Sequence, residues 1–122
     1  MEKGRDDLSE KIIGAAFRVQ NSLGTGFLEK VYKKSLIVEL EKSGLSAEEE
    51  KKIEIFYRDV LVGEYFADIV VNNEFIVEIK AVEELANIHT AQILNYLKAT
   101  GIKRGLLINF GQTKVEFKRY VV

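Results

Sequence analysis

Three charged residues interrupt two apolar runs in the middle of the sequence. The runs, at about 60–71 and 75–81, are rich in Val, Ile and aromatic residues, and the Asn-Asn pair between them is typical of a hairpin turn. Leaving aside Glu64 near the start of the first run, the charged residues are Asp68, Glu78 and Lys80. An unpaired charge is costly to bury in an apolar strand, so their presence indicates a site and constrains how the hairpin folds.

The spacing of these charges selects the register of the hairpin. A two-residue turn would put Asp68 and Glu78 on opposite faces, because side chains alternate along a strand. A loop of three residues, 72–74, instead places Asp68 opposite Glu78 with Lys80 on the same face, and leaves the other face wholly apolar. The pairs on that apolar face are Val71 with Phe75, Ile69 with Val77 and Ala67 with Ile79. We therefore predict the three-residue loop, with an Asn in the left-handed conformation.

Two adjacent carboxylates in apolar surroundings repel each other and lose hydration, which raises a pKa unless a cation compensates. Mg²⁺ suits this role because it takes carboxylates, a carbonyl and waters in octahedral geometry. Lys80 could then hold or deprotonate a water, or offset charge that develops on a phosphate. A plainer interpretation is an ion pair of Asp68 or Glu78 with Lys80 on a solvated sheet face, since Asp followed by Glu-x-Lys is a short pattern.

The composition narrows the kinds of site that this chain can hold. Its 122 residues, 47% of them hydrophobic, predict one domain over 1–122. The absence of Cys and the single His exclude disulfides, thiolate sites and a multi-histidine zinc site within one chain, which leaves oxygen ligands. No apolar segment approaches a membrane span or a signal core, so we expect a cytoplasmic chain.

The net charge of −1 gives no overall basic character, which counts against a nucleic-acid binder. The charge is unevenly distributed, however, because acidic residues crowd 39–54 while the end of the chain is basic. The basic residues there are Lys103, Arg104, Lys114, Lys118 and Arg119. The sequence therefore leaves a local basic patch as an alternative.

Apolar periodicity predicts the remaining elements. Three helices are expected. The first follows Asp6-Asp7 and stops at Gly24, the second runs from about Phe27 to Ser43, and the third runs from Asn87 to Gly101. The expected strands cover 53–57, the buried run 104–110, which should be parallel to a neighbour, and a half-exposed edge strand over 115–121. Residues 45–52 are predicted to be a solvated loop or the approach to a strand.

Two helices carry further candidates for the site. Glu29 shares a helix face with Tyr32 and Leu36, where it either favours the helix dipole or provides a third carboxylate. We expect Glu29, Asp68, Glu78 and Lys80 to converge at one cleft. On the third helix His89, Gln92 and Tyr96 share one face, which is either an ordinary surface or faces the site.

The order helix, helix, meander, helix and two strands, with Glu29, Asp68, Glu78-Ile79-Lys80 and Gln92, resembles the PD-(D/E)XK nuclease superfamily. Gly26-Phe-Leu-Glu29-Lys-Val-Tyr32 looks like the GxxExxY signature of a group of short bacterial and archaeal proteins assigned to that superfamily. Gln92 to Tyr96 looks like the QxxxY element of its exonuclease-like branches. The resemblance extends from about Leu8 to Val121, and one departure is Ala67 where the superfamily name has Pro.

This resemblance implies an α/β fold with a restriction-endonuclease-like core. The sheet would be mixed and five-stranded, with an antiparallel three-strand meander plus two C-terminal strands, flanked by helices. Asp68 and Glu78 would bind metal together with the Ile79 carbonyl, and Glu29 would contact it directly or through water. Lys80 would orient the attacking water, and the last two candidates, Gln92 and Tyr96, would flank the site.

The sequence therefore favours a Mg²⁺-dependent nuclease, with Mn²⁺ as a substitute, that hydrolyses phosphodiester bonds in DNA. The alternative is a catalytically silent binding or regulatory module with the same fold, and a third reading is a structural domain whose charges form ion pairs. We expect a nucleic-acid partner and no association with a membrane. A homodimer is an alternative to a monomer.

Overall fold

The computed structural model describes residues 7–122, and residues 1–6, including Asp6, lie outside that range. In chain order the elements are α1 (Asp7–Leu23), α2 (Glu29–Lys42), β1 (Ala47–Tyr57), β2 (Val60–Val71), β3 (Phe75–Lys80), α3 (Asn87–Thr100), β4 (Arg104–Asn109) and β5 (Glu116–Val121). The strands form one five-stranded sheet in chain order. β3 and β4 are parallel, and the other neighbours are antiparallel. The predicted mixed sheet of a meander plus two C-terminal strands is confirmed.

The β2–β3 hairpin has the predicted register. Val71 pairs with Phe75, and the loop between them has three residues. Asn72 and Asn73 both adopt left-handed backbone angles, with φ of 52° and 57°. The Asn72 side chain accepts a 2.8 Å hydrogen bond from the Ser46 backbone N–H, which ties the loop to the start of β1. Asn tolerates this conformation better than other residues with a side chain, so the turn chemistry fixes the register.

One part of the hairpin prediction is wrong, because the apolar face does not continue to Ala67. Ile69 belongs to the core beneath α1 and α2, whereas Ala67 packs in the core beneath α3. The strand changes face between them, at Asp68, where the β1–β2 ladder lacks a pair with Glu50. Glu50 has a φ of 54°. The β2–β3 ladder also stops at Ile69 and Val77, so the predicted pairs of Ala67 with Ile79 and Asp68 with Glu78 do not form.

The predicted boundaries of two other elements also need correction. β1 begins at Ala47 and not at residue 53, so most of the expected polar connection is strand. Two of its glutamates are paired with α2, where Lys34 lies 2.9 Å from Glu49 and Lys33 bonds Glu50. α2 begins at Glu29 and not at Phe27, since the preceding residue is extended.

The sheet separates two apolar cores. On one face α1 and α2 pack against the apolar side of β2, β3 and β4, with Ile12 and Leu36 fully buried. On the other face α3 contributes Ile93 and Leu97 to a smaller core. β3 is buried along almost its whole length, which explains its continuous apolar sequence. None of the helices within residues 7–122 is long and apolar enough to cross a membrane.

The hairpin loop generates a stability prediction. Asn72→Ala removes a backbone-binding side chain and puts Ala into a left-handed conformation, so we expect the free energy of unfolding to fall by roughly 1–2 kcal/mol. Asn73→Gly, at the neighbouring left-handed position, should stay within about 0.5 kcal/mol of wild type because Gly accepts this conformation freely. Urea unfolding measures both. Equal losses in the two variants would contradict the role assigned to the Asn72 side chain.

Candidate active site

The two carboxylates of the central hairpin bind each other's backbone. The Asp68 backbone N–H donates to Glu78 Oε2 at 2.9 Å, and the Ile79 N–H donates to Asp68 Oδ2 at 2.7 Å. These bonds form just beyond the last ladder pair, where β2 and β3 separate. The side chains therefore take the place of the ladder, and this fixes the two carboxylates next to each other.

Burial makes this pair electrostatically unfavourable. Glu78 is only 3% exposed. Burial raises the pKa of Glu78 to about 8, and the charges of Asp68 and Glu29 add to the effect. Burial also raises the pKa of Asp68, although the Ile79 N–H and the charges of Lys33 and Lys80 oppose this rise. The site therefore favours a proton or a cation.

Asp68 lies on a small cleft that opens toward α2. The cleft has a volume of about 200 Å³, and its lining includes Glu29, Asp68 and Ile79. Glu29 reaches it because α2 starts at this residue. Tyr32, one turn later, is fully buried, and its hydroxyl donates to the Gly24 carbonyl at 2.6 Å. Tyr32 thereby anchors the loop that leads into α2 and positions Glu29 at the first turn.

The remaining predicted residues lie on a second opening, on the α3 side of the sheet. Lys80, Gln92 and Tyr96 all line a groove of about 810 Å³, and His89 lines it as well. Gln92 Nε2 donates to the Tyr96 hydroxyl at 3.1 Å. Burial raises the pKa of Tyr96, and the charge of Glu78 raises it further.

The predicted residues therefore do not share one cleft. Glu29, Asp68 and Ile79 line the cleft beside α2, whereas Lys80 lines the groove beside α3. Glu78 is buried between the two openings, where it bonds Asp68 and its charge acts on Tyr96. The expectation of a single cleft is thus corrected to two openings joined by the carboxylate pair.

Three residues that line the cleft, Lys30, Lys33 and Glu50, were not predicted from the sequence. Lys33 and Glu50 bond each other. Burial lowers the pKa of Lys33, but the hydrogen bond and charge of Glu50, with the charge of Asp68, outweigh it and raise the pKa. Lys33 follows Glu29 by four residues on one helix face, a signal that was present in the sequence. Nothing in the charged run distinguished Glu50.

The donor atoms fit a hydrated, hard divalent cation. One carboxylate oxygen of Asp68 and one of Glu78 accept a hydrogen bond from a backbone N–H group. The other two oxygens, Asp68 Oδ1 and Glu78 Oε1, accept no hydrogen bond from any residue that the structure describes. Within residues 7–122 no group of three or more His, Cys, Asp or Glu side chains forms a metal cage. Mg²⁺ keeps several waters and is commonly held by one or two carboxylates, so a closed protein cage is not required.

A family model for the PD-(D/E)XK nuclease superfamily matches residues 6–120. The chain belongs to this superfamily. The predicted membership is therefore confirmed, and the narrower assignment to the GxxExxY group stays a prediction. No curated protein matches the chain significantly.

Two crystal structures resemble this PD-(D/E)XK protein in fold. SSO0001 matches with a TM-score of 0.59 and 19% identity over 76% of this chain and 50% of its own, so the chain spans half the length of that structure. LHK-Exo in complex with dAMP matches with a TM-score of 0.52 and 12% identity over 93% of this chain and 82% of its own. At these identities the likeness shows the fold alone, and it confirms the restriction-endonuclease-like core.

The buried pair makes stability depend on pH when no divalent cation is present. The pKa of Glu78 is about 8 in the folded chain against its ordinary 4.5, so between these values the folded state binds more protons than the unfolded state. The contribution of Glu78 to stability is therefore full below about pH 4.5 and is lost as the pH rises through about 8.

We expect Glu78→Gln to remove this dependence, since the amide oxygen still accepts from the Asp68 N–H but does not titrate. In EDTA the variant should gain at least about 1 kcal/mol over wild type at mildly alkaline pH and much less at acidic pH. Thermal melts across the pH range measure this difference, with Glu54→Gln on the exposed side of β1 as the control. A parallel pH profile for wild type and Glu78→Gln would contradict it.

Proposed function

We propose that this PD-(D/E)XK chain is a Mg²⁺-dependent nuclease that hydrolyses phosphodiester bonds in DNA, with Mn²⁺ as a substitute. The observation that carries the proposal is the buried Asp68–Glu78 pair, bonded to both strands and next to Lys80. Such a pair is unfavourable without a cation, and a protein with only a structural role gains little from keeping it. We propose the whole of residues 1–122 as one nuclease domain.

The metal would be held by the carboxylate oxygens that accept no hydrogen bond from a backbone N–H group. These are Asp68 Oδ1 and Glu78 Oε1, with the Ile79 carbonyl as a third ligand and Glu29 bound directly or through water. A divalent cation supplies Lewis-acid chemistry at the phosphate and makes water more acidic. Lys33, paired with Glu50 on the same cleft, balances the charge of Asp68 while the site is without metal.

Side chains of the protein supply the remaining contacts to the water and the phosphate. The Lys80 ammonium holds the attacking water in place or offsets the charge that builds on the phosphate oxygens. Tyr96 is protonated at neutral pH, as a tyrosine ordinarily is, and burial and the charge of Glu78 raise its pKa further. Its hydroxyl can therefore donate to a phosphate oxygen. Gln92 orients that hydroxyl through its 3.1 Å hydrogen bond.

The comparisons support this proposal at the level of the superfamily and its fold. The structure of LHK-Exo contains dAMP, a nucleotide with one phosphate. We carry from the complex with dAMP the expectation that this chain, too, takes a nucleotide phosphate as a ligand.

A binding or regulatory module without turnover is the second candidate. It is favoured by the net charge of −1 and by the division of the predicted residues between two openings. Such a module keeps the metal-linked stability of the pair but cleaves no substrate. Cleavage and metal binding therefore have to be measured separately.

Lys80 distinguishes catalysis from a structural role. We expect wild type to cleave DNA with Mg²⁺ or Mn²⁺ and not with EDTA, and Lys80→Ala to lower the single-turnover rate by roughly 10²-fold, since Lys80 acts mainly on the transition state. The substrates are single-stranded, duplex and branched DNA, and Lys11→Ala on the exposed side of α1 is the control. Cleavage that survives Lys80→Ala, Asp68→Ala and Glu78→Ala alike would indicate a contaminating nuclease.

The metal site has its own test in stability. Mg²⁺ should raise the melting temperature of wild type, because a ligand that binds only the folded state stabilises it by RT ln(1 + [L]/Kd). Asp68→Asn should abolish this rise and, without metal, should melt at or above the wild-type temperature because the repulsion is relieved. Asp59→Asn, in the β1–β2 turn, is the matched control. A wild-type response to Mg²⁺ in Asp68→Asn would place the metal elsewhere.

A further inference from the structure

The groove between α3 and the β1–β2 hairpin is larger than the proposed chemistry requires. Lys80, Gln92 and Tyr96 account for only part of its lining. The apolar part of the lining includes Ile55, Tyr65 and Ile88. Ile88 is 73% exposed and Tyr65 is 52% exposed, so these side chains are not used to fill the core. The groove therefore offers an apolar surface directly beside the proposed site.

The charged residues that line the groove favour an anionic ligand. Its lining contains Lys80 and Lys98, and none of the described lining residues is acidic, although acidic residues slightly outnumber basic ones in the chain. His89 adds a donor. Its Nδ1 accepts a hydrogen bond from the Ala86 N–H at 3.0 Å, so in the neutral ring Nε2 carries the proton and is left to donate.

Tyr65 gives the groove a surface on which a flat ring can stack. Its ring lies 5.9 Å from that of Tyr96, at an angle of 45°, and Tyr96 itself is only 5% exposed. A buried neighbour therefore supports Tyr65 on one side while about half of the residue faces solvent. Nucleic-acid bases stack on exposed aromatic side chains of this kind, whatever their sequence.

We propose that the groove receives one unpaired nucleotide of a DNA strand, next to the phosphodiester that is cleaved, with its base stacked against Tyr65. The proposal rests on the proposed nuclease function and names its substrate as single strands, frayed ends or flaps. The volume of about 810 Å³ lies within the range of small-ligand sites, roughly 300–1,000 Å³, which suits a nucleotide and not a base-paired duplex. A duplex would first have to unpair, which costs energy.

The test uses a short single strand that carries one fluorescent base analogue, whose emission falls when it stacks on an aromatic ring. In EDTA, wild type and Tyr65→Phe should quench the probe, whereas Tyr65→Leu should bind it about tenfold more weakly and lose the quenching. Tyr57→Leu is the matched control, because Tyr57 is 64% exposed on the same hairpin but does not line the groove. A blunt duplex that carries the same analogue should be quenched far less than the single strand.

The outcomes separate this proposal from the proposed nuclease function. If wild type cleaves DNA and Tyr65→Leu binds and cleaves single strands as wild type does, the groove proposal is wrong and the nuclease function stands. If no DNA is cleaved but quenching depends on Tyr65, the groove proposal stands and the chain is a binding module. Equal quenching of single strand and duplex overturns the proposal. So does a change in sedimentation of Tyr65→Leu without a change in quenching, which would assign the groove to a second copy of the chain.

Discussion

The strands of the central hairpin separate at Asp68 and Glu78, and each carboxylate binds a backbone N–H group that the ladder no longer pairs. A buried N–H group without a partner is costly, so the side chains allow the strands to part inside the protein. The same two bonds hold both carboxylates in a buried position, where their pKa values rise. The same two hydrogen bonds thus account for the separation of the strands and for the preference of the site for a cation.

The position of this pair in the sheet explains why the candidate site opens on two sides. At Asp68 the side chains of β2 change faces, so that Ile69 packs beneath α1 and α2 while Ala67 packs beneath α3. Across the strand pair, Glu50 has a left-handed conformation and leaves the ladder. An irregularity of this kind re-aims side chains and is common next to active sites. Asp68 is therefore reached from the α2 side, whereas Tyr65, before the break, faces α3.

The pairing next to the hairpin loop, Val71 with Phe75 and Ile69 with Val77, could be predicted because it follows from local alternation of side chains. The change of faces at Asp68 could not, since it depends on Glu50, which lies 18 positions earlier in a uniformly charged run. The first half of β1, which lies in that charged run, was not predicted for a related reason. Glu49 and Glu50 look solvated in the sequence, but Lys34 and Lys33 of α2 pair with them. Neighbours that are distant in sequence determine all of these features, so one sequence read by its periodicity does not contain them.

The same pairing bears on the low net charge, the strongest sequence-level objection to a nucleic-acid substrate. At physiological salt a charge acts over a Debye length of about 8 Å, so the charges nearest the ligand matter more than their sum over the chain. At the acidic start of β1, Glu49 pairs with Lys34 and Glu50 with Lys33, both lysines belonging to α2. The groove beside Lys80, by contrast, is lined by basic and neutral described residues. A net charge of −1 is thus compatible with a surface that attracts phosphate, because Glu49 and Glu50 are paired with α2 and the described residues that line the groove are basic or neutral.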